Sequence, residues 1–155
     1  MSSAAEIQEL VDKIRALAAA ELPSGHVVAF LRESQEFWEP EERELIEPIG
    51  TEYQAQSDEL ADRLAEFWGR PARVPLWPVL DRSLAGEDVP PLAGELSQFA
   101  VEVDTWRVGD RVVCVGVGHH DKELPIVLFA AVGDHRLDDE TSPAVQSSVR
   151  QAVDQ

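Results

Sequence analysis

From the N-terminus, the apolar residues Ile7, Leu10, Val11, Ile14, Leu17 and Ala18 recur every three or four positions, the period of a helix with one buried side. Ser3 followed by Glu6 makes a capping box ahead of them, and Leu22-Pro23 ends the run, so the spacing predicts a helix over 4–21. Ser24 then stands as a candidate cap before Val27, Leu31, Ser34 and Trp38, flanked by Phe30 and Phe37. This period predicts a second helix, although 27–31 taken alone would also suit a buried strand. Pro40 opens a short helix with Glu41, Glu42 and Glu44 in an acidic first turn, ended by Pro48 and Gly50. Thr51 and Gln54 form the next capping box. Tyr53, Leu60, Leu64, Phe67 and Trp68 then mark one apolar side that closes at Gly69 and Pro71, which gives a helix over 52–68.

After residue 72 the period changes. Residues 73–77, set among Pro71, Pro75 and Pro78, can form at most an edge strand or a crossing loop. Residues 79–85 suggest a short helix stopped by Gly86, and 87–94, with Pro90-Pro91, an extended connector. Three runs rich in β-branched and aromatic residues follow at 99–108, 111–119 and 125–132, separated by Gly109-Asp110 and by Asp121-Lys122-Glu123. They predict an antiparallel meander over 99–132.

In its central run Val113, Val115 and Val117 alternate with Val112, Cys114, Gly116 and Gly118, so both faces are apolar and the strand belongs in the middle of a sheet covered on both sides. A two-residue turn at Gly109-Asp110 would set Trp106 opposite Val113. The hydrophobic match instead favours an odd-length loop that aligns Val101 and Val103 with the Val113 face, because a slip of one residue puts Glu102 and Asp104 against the core. Gly116 and Gly118 leave a shallow strip for Trp106 or for Phe67-Trp68 to fill. Residues 133–140 are polar, and Ser142-Pro143 opens a last helix with Val145, Val149 and Val153 on one side. The expectation is one α+β domain over 1–155, a three- to four-stranded antiparallel sheet packed against helices 4–21 and 52–68. The stripe on helix 4–21 is narrow enough for that helix to be peripheral, or to pair with a second copy as a homodimer, although packing within the chain is the plainer expectation.

Charge narrows the class of partner. Thirteen Lys and Arg against 30 Asp and Glu give a net charge of -17, which repels nucleic acid and anionic membranes and favours a basic protein partner. Over residues 33–66, twelve acids stand against Arg43 and Arg63, a net -10. Such asymmetry is what a docking face looks like, a solvated helical surface being the plainer alternative. Glu41, Glu42, Glu44, Glu59, Asp62 and Glu66 are the candidate contacts. Of the four tryptophans, Trp68 and Trp106 read as core, and Trp77, between prolines, as an exposed anchor.

A lone Cys114 permits no internal disulfide and fits a reducing cytoplasm, where mid-strand burial would make it inert. No signal peptide is visible, and no apolar run approaches the roughly 18 residues of a membrane span. Gly116-x-Gly118 lacks the third glycine and following helix of a dinucleotide fingerprint, and neither a Walker loop nor a Gly-x-Ser-x-Gly elbow is present. Only His119-His120-Asp121, with Glu123 nearby, could carry metal chemistry in a small enzyme, and only if the strand has ended, because adjacent strand residues face opposite ways. The sequence therefore favours a non-enzymatic acidic module without a cofactor, of the immunity, antitoxin or secretion-chaperone kind.

Overall fold

The computed structural model describes residues 3–134. Five strands form one antiparallel sheet in the order β1-β5-β4-β3-β2: β1 His26–Glu33, β2 Ala72–Pro75, β3 Glu102–Val108, β4 Arg111–His119 and β5 Ile126–Gly133. Helices α1 (Ala4–Ala19) and α2 (Ile46–Trp68) cover the first face, while α3 (Trp77–Leu84) and α4 (Pro91–Ser97) cover the second. The fold is thus α+β, with the meander at its centre. The expected last helix and the polar stretch before it lie outside the described residues, apart from Gly133 and Asp134.

Alternation along β4 sets the two cores. Val113 and Val115 meet Ile7, Val11, Ile14, Leu60 and Leu64 on the first face. Val112 and Cys114 meet Leu76, Val79, Leu92, Leu96 and Phe99 on the second. The middle strand is therefore covered on both sides, as its two apolar faces require. Helix α1 is not peripheral: Ile7, Val11 and Ile14 are fully buried against α2 and the sheet, so its stripe is not left free for a second copy. Its start carries the expected capping box, the Glu6 N–H donating to Ser3 Oγ at 3.1 Å and the Ser3 N–H to Glu6 Oε1 at 2.9 Å. At its other end Arg111 donates to the Ala18 carbonyl at 2.9 Å and to that of Ala20, placing a cation on carbonyls that the helix leaves unpaired.

Several expectations are corrected. The segment after Ser24 is not a helix but strand β1, paired with β5 from His26 opposite Gly133 to Glu33 opposite Val127, with a bulge between Phe30 and Arg32. Its Val27 and Leu31 pack on the first face and Val28 on the second, an arrangement that an isolated helix could not satisfy. The sheet accordingly has five strands rather than three or four, β2 being the proline-flanked edge strand. Helix α2 starts at Ile46, not at 52, and Pro48 lies in its first turn, where a missing N–H costs nothing. Before it, Pro40–Leu45 is a 3-10 helix, in which the Glu42 carboxylate accepts the Glu39 N–H at 2.8 Å. The connector over 87–94 gives way at Pro91 to α4.

The register is also corrected. Trp106 faces Val113 and Val108 faces Arg111, so the two-residue turn wins, with Gly109 at a φ of 64° that favours glycine. As anticipated for this register, Asp104 turns to the first face, where it is only 5% exposed. Arg73 makes that tolerable. It lies opposite Asp104 in the β2–β3 register and binds both carboxylate oxygens, Nε to Oδ1 at 3.0 Å and Nη2 to Oδ2 at 3.2 Å. It also reaches Glu102 at 3.2 Å and Asp58 of α2 at 3.5 Å. The glycine strip is filled by Phe99 rather than by a tryptophan: a Cβ at Gly118 would stand 2.3 Å from Phe99 Cδ2.

Candidate functional site

Helix α2 buries Tyr53, Gln56, Ser57, Leu60, Ala61 and Leu64 against the sheet. At 3.6 residues per turn, Glu47, Glu52, Asp58, Glu59, Asp62 and Glu66 then fall within one outward arc of about 140°. Three of them are neutralised within the chain: Glu52 by Arg32 at 4.0 Å, Asp58 by Arg73 at 3.5 Å and Glu59 by Arg63 at 3.3 Å. Among the described residues, Glu47, Asp62 and Glu66 enter no salt bridge, and neither do Glu41 and Glu44 on the 3-10 helix that leads into α2. Asp62 and Glu66 stand one turn apart and repel by a few tenths of a kcal/mol.

Some acids of this stretch have local work. Glu42 caps the 3-10 helix, and Glu59 pairs within its own helix. Glu47 in the first turn of α2 complements the helix dipole. The 3-10 helix is anchored through Arg43, which donates to the Phe37 carbonyl at 3.3 Å and meets Glu123 at 3.4 Å.

Trp77 is exposed, at 61%, but it stands on α3, over the second face, away from the acidic arc. The aromatic residue beside the acids is Trp38, 58% exposed, whose indole N–H donates to Glu36 at 2.8 Å immediately before Glu39 and the 3-10 helix. Leu45, also exposed, closes that helix. A helical period places Trp38 on a packed stripe, whereas a strand ending at Glu33 leaves it outside the sheet. Trp106 is buried and meets the half-buried Trp68 edge to face, with centroids 5.8 Å apart.

His119 and His120 do not converge. His119 turns to Phe37 on the first face, with Nε2 2.9 Å from the Leu124 carbonyl. His120 stacks on Phe99 on the second, with centroids 4.5 Å apart. Asp121 accepts the Lys122 N–H at 2.7 Å and so shapes the turn. Among the described residues no group of three or more His, Cys, Asp and Glu side chains is placed to hold a metal ion. Cys114 is fully buried mid-strand, and burial pushes its thiol well above the usual range. No helix among the described residues is long and apolar enough to cross a membrane. Searches against protein-family models, curated proteins and solved structures found no match to this chain.

Proposed function

We propose that this protein is a non-enzymatic interaction module that docks a basic protein partner on the outer side of α2 and the 3-10 helix before it. The observation that carries the reading is the set of outward carboxylates left without a salt bridge among the described residues, Glu41, Glu44, Glu47, Asp62 and Glu66, although most of the described arginines are paired. Keeping Asp62 and Glu66 one turn apart lowers the stability of α2 slightly and yields no salt bridge or side-chain hydrogen bond among the described residues. A Lys- or Arg-rich surface would remove that repulsion and gain charge complementarity. Trp38 and Leu45, exposed at the N-terminal end of the same side, supply the apolar area in which contact energy concentrates. With one thiol, buried and unpaired, the module suits a reducing cytoplasm.

Affinity capture from the native host with the full chain as bait tests this. A basic protein should be retained at about 0.1 M salt and released towards about 1 M, where the screening length falls from roughly 10 Å to roughly 3 Å. Capture of nothing basic, or of a partner indifferent to salt, contradicts the reading.

A further inference from the structure

Cations are scarce in this chain, and most of the described arginines are engaged. Arg32, Arg43, Arg63, Arg73, Arg82 and Arg111 each hold a carboxylate, and the Arg15 guanidinium lies 3.8 Å over the Phe67 ring. Arg70 and Arg107 are different: among the described residues neither guanidinium has a salt bridge or a hydrogen bond. Both line one cavity of about 310 Å³ at the corner of the sheet, where α2 passes through Gly69 and Arg70 into β2. Among the described residues, no carboxylate lines it.

We propose that this cavity binds a small organic anion, with a carboxylate or phosphate head held by Arg70 and Arg107 and a flat apolar body against Trp68, Val74 and Val112. The floor is rigid sheet. Ala72 lies opposite Thr105 and Arg107 opposite Val112 in the strand register, so alternation puts Val74, Thr105, Arg107 and Val112 on one face of three neighbouring strands. The rim is also fixed: the Trp106 indole N–H donates to the Gly69 carbonyl at 2.8 Å, and Trp68 packs edge to face on Trp106. The link carrying Arg70 is thereby tied to the strand carrying Arg107. A guanidinium presents planar forked donors that match carboxylate and phosphate, and the neighbouring indoles and valines supply the apolar wall that small-molecule sites share. The volume is at the small end of the roughly 300–1,000 Å³ such sites occupy, which suits a single ring with its head group. The site stands independently of the α2 docking side.

Titration of the full chain with benzoate and with phenyl phosphate, followed through the indole resonances of Trp68 and Trp106, tests the assignment, with benzyl alcohol as the neutral counterpart. At least one anion should shift those resonances saturably, and the one that does names the head group. Benzyl alcohol should bind about tenfold more weakly or not at all, and Arg70→Gln and Arg107→Gln should each weaken the anion about tenfold. The double variant should abolish the response, and Lys122→Gln should leave it unchanged. Both arginines are exposed, so the variants keep the fold, which circular dichroism verifies. Absence of a saturable shift with either anion, equal affinity for benzyl alcohol, or unchanged affinity in the double variant would overturn the proposal.

Discussion

Asp104 is a carboxylate inside the first-face core, and one side chain makes it tolerable. Arg73 is half-exposed, so solvent weakens its share of the pair, but removing it strands a buried acceptor. Arg73→Met should therefore lower the unfolding free energy by about 1–3 kcal/mol, at the lower end because of that exposure. Combining it with Asp104→Leu should recover most of the loss, since apolar replacement of both partners is often nearly neutral. Urea denaturation of the two variants decides it, and equal losses in both would show that the pair does not hold Asp104 in place. Cys114 gives a second test at this scale. Burial keeps the thiol protonated, so an alkylating reagent should label the native protein only as fast as the sheet opens, and urea should accelerate labelling in step with unfolding.

Among the elements, the β3–β4 hairpin and Phe99, which packs on Gly118, show where packing outranks composition. Gly118→Ala would drive a methyl into Phe99, 2.3 Å from Cδ2 and 3.0 Å from the backbone oxygen, and should cost about 1–3 kcal/mol by overpacking, read as a fall in Tm. Arg111→Gln should remove the cation from the end of α1 and cost about 0.5–1.5 kcal/mol, with amide exchange rising at 17–20 before it rises elsewhere. Legibility varied for the same physical reasons. The meander, α1 and the body of α2 were readable because each buries one long, regular pattern. Strand β1 was legible only as the alternative at 27–31: Val27, Leu31, Ser34 and Trp38 happen to match a helical period, and an edge strand with a bulge and two partly covered faces loses its clean alternation. The register was misjudged because Asp104 was weighed without its cross-strand partner, which lies 31 residues away. The start of α2 was placed too late because Pro48 reads equally well as a stop and as a first-turn residue.

At the scale of the whole molecule, the sheet separates two layers of helices. One side carries α1, α2 and the acidic arc, while the other carries α3, α4, the exposed Trp77 and acids of its own such as Asp81 and Glu95, with Arg70 and Arg107 at the corner of the sheet. The acidic stretch over 33–66 was legible in the sequence, but the aromatic residue beside it was not, since Trp77 stands on α3 over the second face and Trp38 just before the acidic 3-10 helix. Net charge alone would attract a basic partner to any part of the surface, so position must be separated from magnitude. The most direct measurement compares two triple variants of identical net charge against the captured basic partner: Glu47→Lys/Asp62→Lys/Glu66→Lys on the α2 side, and Glu21→Lys/Asp81→Lys/Asp88→Lys elsewhere, all six positions being exposed. The first should raise Kd at least about a hundredfold, roughly 2.7 kcal/mol, and the second only severalfold; equal weakening by both would contradict a docking face on α2.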